Sequence, residues 1–344
     1  MNVTRNTLRN KCELIHEEHI VNCPIIPAID IHTHWGRLLL GEDYESVYDT
    51  SEVVSRLKEY GLKAVVNLDG ECGEYFDRMI KKTEGFENYI ITFGNVDLTR
   101  FAERSFDEYV YSSIKRQVSL GMRGLKFWKT LGLSLKDDEG RYLRVDDKRL
   151  SIIWQTAAEF NLPVLIHIAD PTAFFKPVDF NNERREELQI HPDWSFCGDD
   201  FYKFEELMEM QETLIATNPK TTFVVAHCGS YSENLIAVGK MLDRYPNMYV
   251  DIAERINELG RQPYSSYDFL NRFKERVLFG TDMIPTDINR YPINYRFLET
   301  RDEYFDYSTH LVPPQGNWKI YGLGLEKNVL DYIYLKNALK ILHM

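Results

Sequence analysis

Eight short apolar runs punctuate this chain, and longer stretches of helical periodicity separate them. The runs are Ala28–His32, Ala64–Asp69, Tyr89–Gly94, Gly124–Trp128, Pro163–His167, Thr222–His227, Met248–Ile252 and Arg276–Gly280. Each is about a strand long and apolar at nearly every position, as parallel strands covered on both faces require. Between them, Ser51–Tyr60, Phe106–Leu120, Asp147–Phe160, Phe201–Thr217, Ser232–Arg244 and Ser266–Phe273 read as helices. The alternation predicts an α/β chain with a single (β/α)8 barrel of TIM type. A doubly wound open sheet is the alternative. It usually has fewer strands, and no Gly-rich phosphate loop follows the first run here.

Loop lengths point the same way. Links from helix to strand are short and carry turn residues, as at Gly61–Lys63, Asn161–Pro163, Asn218–Lys220 and Pro246–Asn247. Links from strand to helix are long: Trp35–Thr50, Lys129–Asp146, Ile168–Asp200 and Met283–Leu325. Long loops on one face of a barrel build an active site, and short ones on the other maintain the fold. Phe174, Phe175, Lys176, Trp194 and Trp318 are expected to close over that site. Residues 1–27 read as an extension packed on the barrel. The barrel itself is expected over 28–344, with a lid-like insertion at about 283–325. Glu326–Leu342 reads as a closing helix, apolar at Val329, Leu330, Ile333, Leu335, Ala338, Leu339 and Leu342.

Composition narrows the function. The 344 residues carry a net charge of −12 and no dense run of Lys and Arg, which argues against nucleic-acid binding. Five cysteines without a CxxC spacing argue against a disulfide framework or a thiolate zinc site, and fit a reducing compartment. The polar start lacks a signal-peptide core, and no window approaches the ~20 apolar residues of a membrane helix. The expectation is a cytoplasmic protein with a small-molecule substrate and no membrane partner.

The first run ends in Asp30-Ile31-His32-Thr33-His34. Alternation puts His32 and His34 on one side of the strand, where two neutral imidazoles can grip one metal ion. On the same parity, Asp30 is expected to point into the barrel floor in a structural role. An HxH alone is a weak signal. Here the fifth run also ends in a histidine, His167, the sixth in His227, and the eighth continues into Gly280-Thr281-Asp282. Titratable groups seldom end apolar runs without a partner, and four such positions at C-terminal strand ends make a constellation.

That set resembles the amidohydrolase superfamily, most closely the amidohydrolase-2 branch that includes aminocarboxymuconate-semialdehyde decarboxylase-like enzymes. The likeness runs from about Ile26 to the C-terminus. It implies one divalent metal, usually zinc, bound by His32, His34, His167 and Asp282, with His227 beside it acting on substrate. It also allows a homodimer. Such a metal lowers the pKa of a bound water toward neutrality. Asp282 can take up the water's proton, and His227 can donate to a developing oxyanion or protonate a leaving group. Some amidohydrolases carboxylate a lysine where Lys126 stands and bridge two metals with it. In this branch a basic residue there serves as a charge partner or a contact for an anionic substrate, and one metal is the expectation.

Trp35 and Arg37 follow the HxH and are candidate substrate contacts. So are Asp170, three residues after His167, and Arg255, which with Glu254 follows the seventh run. The reading is a hydrolase in which a zinc-bound water attacks a small ester, lactone or amide bearing a carboxylate. A metal-dependent decarboxylase or lyase of an unsaturated or aromatic acid is the alternative. An inactive metal-binding barrel is a third reading.

Overall fold

The eight runs become eight parallel strands in a computed structural model of the protein, which describes residues 12–308, 310 and 313–344. The strands are β1 Ala28–Thr33, β2 Leu62–Glu71, β3 Ile90–Gly94, β4 Leu125–Phe127, β5 Val164–Ile166, β6 Phe223–Val225, β7 Met248–Asp251 and β8 Val277–Leu278. They pair in sequence order from β1 to β8. The sheet closes on itself through Ile31 N–H to Phe279 O, Asp282 N–H to His32 O and His34 N–H to Met283 O. This is the (β/α)8 barrel that the alternation predicts.

A helix follows each strand: α1 Thr50–Glu59, α2 Gly73–Lys82, α3 Phe106–Ser119, α4 Ser151–Glu159, α5 Phe204–Thr217, α6 Leu235–Arg244, α7 Pro263–Arg272 and α8 Tyr291–Glu299. Local chemistry starts some of them. Asp49 caps α1 by accepting from Glu52 N–H, and Asn234 caps α6 through Ala237 N–H. Two of the eight, α2 and α8, fall in stretches where the sequence pattern predicts no helix. The α8 helix sits inside the expected insertion at 283–325 and buries Tyr291, Tyr295, Phe297 and Leu298 against the barrel. The described part of the N-terminal extension meets the end of α8, where Ile25 N–H donates to Glu299 and His19 N–H to Asp302; residues 1–11 lie outside the described residues.

Apolar side chains divide into two layers. Inside the barrel, Ile29, Ile31, Val66, Leu68, Phe93, Leu165, Val224 and Leu278 pack together, and Ala338, Ile341 and Leu342 join them. The chain end that supplies those three, α9 Lys327–Leu330 and α10 Asn337–Leu342 joined by a π-helical stretch, thus plugs the barrel at the N-terminal ends of its strands. Asn337 Nδ2 fastens the plug by donating to the carbonyls of Lys274 and Val277.

One strand breaks simple alternation. Between Asp30 and Thr33, β1 advances three residues while β2 advances two, from Val65 to Asn67. This β-bulge reverses the facing of the residues beyond it. Asp30 therefore turns away from the barrel interior, toward the helix layer, where it accepts from Thr281 and Tyr291 Oη. His32, two residues on, faces the interior beside Lys126. The expectation that Asp30 points into the barrel floor is corrected accordingly; its hydrogen-bonding role remains.

Candidate metal centre

At the C-terminal ends of the strands, one cavity of about 470 Å3 gathers His32, His34, His167, His227 and Asp282. Asp282 Oδ1 lies 3.0 Å from His34 Nε2 and 3.4 Å from His32 Nε2, and its Oδ2 lies 4.0 Å from His227 Nε2. His32, His34 and Asp282 offer donor atoms within 4.8 Å of one another. Ligands about 2.0–2.2 Å from a common ion sit at such separations. His167 lines the same cavity but stands outside this tight group. Its ring meets His227 edge-on at 4.4 Å, and its Nε2, 3.3 Å from Asp170 Oδ1, makes no hydrogen bond.

The ring orientations are fixed from behind. His32 Nδ1 lies 2.8 Å from Asp251 Oδ2, and an ionised carboxylate can only accept, so Nδ1 carries hydrogen and Nε2 is left for the centre. The other Asp251 oxygen accepts from His227 N–H and Ala253 N–H. Asp251 is thereby committed to positioning, although it falls in a second donor cluster with His32 and His227. His227 Nδ1 lies 2.9 Å from the Ala253 carbonyl. A carbonyl cannot donate, so the neutral His227 ring presents an Nε2 lone pair to the cavity.

Backbone strain marks the same places. His227, Cys228, Glu254 and Asp282 have φ of 56°, 56°, 49° and 63°, left-handed conformations that non-glycine residues adopt at a cost. Electrostatics follow from burial. Desolvation drives His32 and His227 well below the ordinary imidazole range, helped by Lys126 and His167 respectively. Burial alone would raise the Asp282 carboxyl, but the facing rings of His32, His34 and His227 outweigh it and hold the group ionised. Desolvation brings the Lys126 ammonium down to about 8. The donor set suits a divalent cation: imidazole nitrogens around one ionised carboxylate, with the His32 and His227 tautomers fixed from behind. Burial would lower His34, but the facing carboxylates of Asp282 and Asp69 outweigh it and shift that ring upward. Two buried ring nitrogens, His34 Nδ1 and His167 Nε2, lack hydrogen-bond partners.

The weaker candidates separate cleanly. Lys126 is fully buried, with Nζ 3.4 Å from His32 Nε2 and 4.9 Å from the Trp128 ring. Asp170 and Arg255 line the cavity. Trp35 does not: it is a core residue whose Nε1 donates to Thr33 Oγ1 and whose ring packs on Tyr48. Arg37 is held outside by Glu71 and Glu42. Neither lines the cavity; the Trp35 backbone N–H is held by Asn67 Oδ1 and Asp69 Oδ2. Phe174 and Trp194 line the cavity as expected, whereas Trp318 stacks on Tyr307. Sequence reasoning missed Asp251, Asp69, which lies 3.7 Å from His34 Nδ1, and Trp128, whose ring packs on His34 at 4.7 Å. Asp69 and Asp251 also stand at or near the ends of apolar runs, the signal that revealed His167 and His227.

Residues 29–344 match the amidohydrolase family. No curated protein matches the chain. Several solved structures share its fold. A 2,6-dihydroxybenzoate decarboxylase complexed with 2,6-dihydroxybenzoate has a TM-score of 0.59 at 12% identity, covering 93% of this chain and 100% of that one. A dihydroxybenzoic acid decarboxylase from Polaromonas sp. JS666, with bound manganese and the inhibitor 2-nitroresorcinol, gives 0.60 at 11%, covering 93% and 97%. A 4-oxalomesaconate hydratase from Rhodopseudomonas palustris gives 0.54 at 13%, covering 92% and 95%.

Proposed function

Because the chain belongs to the amidohydrolase family, whose enzymes are metal-dependent, we propose that it is a hydrolase of a small ester, lactone or amide that carries a carboxylate. One divalent ion, zinc in this reading, would be held by His32, His34, His167 and Asp282 and would supply Lewis-acid polarisation of the carbonyl and acidification of water.

The observation that carries the reading is the His227 tautomer. With Nδ1–H given to Ala253 O, its Nε2 is a proton acceptor, and it stands 4.0 Å from the ionised Asp282. Two acceptors facing one point suit the removal of a proton from water. Asp282 takes that proton at Oδ2 and His227 receives it at Nε2, from which it passes to the leaving oxygen or nitrogen. His227 thus donates only after it has accepted. Asp251 keeps both His32 and the His227 backbone in register for this. Arg255 supplies the contact for the substrate's carboxylate.

A second reading, decarboxylation of an unsaturated or aromatic acid, draws support from Lys126. A buried ammonium beside the centre is a proton donor that carbon protonation would use, and 2,6-dihydroxybenzoate decarboxylases share the fold. Turnover in 18O-labelled water separates the two. Hydrolysis puts one solvent oxygen into the product acid and releases no CO2. Release of CO2 with solvent hydrogen at carbon would replace the hydrolase reading.

A further inference from the structure

We propose that the cavity accepts one carboxylate remote from the reacting group, seated on Arg255, and rejects a second. This rests on the hydrolase reading only in taking the same cavity as the substrate site.

Most of the positive charge around the cavity is already neutralised. Four cations line the cavity: Lys129, Arg184, Arg255 and Arg290. Lys129 is paired with Asp170. Arg184 lies between Glu187, at 2.8 Å, and Glu258. Arg290 holds Glu254 at 2.6 Å and Asp287 at 3.2 Å. Arg255 alone of the four makes no ion pair among the described residues; its Nη1 donates to the Glu254 carbonyl. Yet Arg255 is only 6% exposed. Glu187, already paired with Arg184, acts on Arg255 only at longer range. A buried guanidinium with no carboxylate hydrogen-bonded to it is costly, and an arriving carboxylate offsets that cost through a bidentate pair.

The other three cations cannot repeat this. A second remote carboxylate would have to displace a resident one, and Asp170, Glu187 and Glu254 face it with like charge. Part of the cavity wall is aromatic. Phe174 stacks on Trp194 at 6.3 Å, and His191 stacks on the same indole at 4.1 Å. The favoured ligand is a planar, uncharged frame with a single remote carboxylate.

Isosteric acids test this by calorimetry on the metal-loaded protein, because a nitro group matches a carboxylate in shape without its charge. Replacing meta-nitrobenzoate by isophthalate adds the one remote carboxylate and should tighten binding about tenfold or more. Arg255→Gln should abolish that gain. Replacing nitroisophthalate by trimesate adds a second and should weaken binding about tenfold. Trimesate binding as tightly as nitroisophthalate would overturn the inference and leave the hydrolase reading standing. Isophthalate gaining nothing in the unmodified protein would remove Arg255 as the anchor. Failure of all four acids to bind would sink the carboxylate-bearing substrate as well.

Discussion

The two ends of the barrel handle their side chains in opposite ways. At the N-terminal ends of the strands, Ala338, Ile341 and Leu342 fill the interior with methyl groups, and Asn337 finds two carbonyls to satisfy its amide. At the C-terminal ends, within a few residues of β6, β7 and β8, the backbone turns left-handed at His227, Glu254 and Asp282. There, buried His34 and His167 each keep a ring nitrogen without a hydrogen bond. A protein selected for stability alone would relax that strain and satisfy those atoms. Left-handed residues also occur near the plug, at Asn161 and His343. Among the described residues, though, only the mouth combines them with unpaired ring nitrogens on neighbouring buried histidines, which says that the plug maintains the fold and the mouth binds something the chain itself does not supply.

Substitutions can sharpen or break this contrast. The largest effect should come from Asp282→Ala, which removes a carboxylate that is both candidate ligand and proton acceptor: activity should fall by about 10⁴-fold or more with loss of bound metal, while the melting temperature of metal-free protein stays or rises. His227→Asn should lower kcat by about 10²–10⁴-fold at unchanged metal content, because the amide keeps a donor toward Ala253 O but cannot accept a proton. If it loses the metal instead, His227 is a ligand. Asp251→Asn acts through His32 and should weaken metal affinity by about 10–100-fold, measured by competition with a chelator. At the other end, Leu342→Ala should cost about 2–5 kcal/mol of stability by denaturant titration and leave kcat of the folded protein unchanged. A large kcat loss there would break the division of labour. Arg37→Ala should leave KM unchanged and cost only about 1 kcal/mol of stability, from the loss of the partner of the mostly buried Glu71.

How far the sequence disclosed this depends on where the signal lay. Strands covered on both faces write themselves as continuous apolar runs, so all eight were legible, and polar residues ending those runs disclosed His32, His34, His167, His227 and Asp282. The α2 helix was illegible because only Phe76 and Met79 are buried among Glu74, Asp77, Arg78, Lys81 and Lys82. The α8 helix hid behind Pro292, a breaker in most contexts but here tolerated in the first turn. The facing of Asp30 depended on a bulge, a property of pairing with β2 and not of β1 alone. Adjacency misled for Trp35 and Arg37, since a residue beside a motif in sequence need not stay beside it after a turn. The tautomer of His227 lives in a contact with Ala253, 26 residues away, beyond any local pattern.

The claim on which the rest depends is that the strained end of the barrel holds one metal ion. Elemental analysis of protein purified without chelators, beside His34→Ala prepared identically, tests it most directly. About one transition-metal ion per chain is expected in the unmodified protein and a small fraction of that in the variant. Equal metal content in the two, or none retained by the unmodified protein even after reconstitution with zinc or manganese, would contradict it.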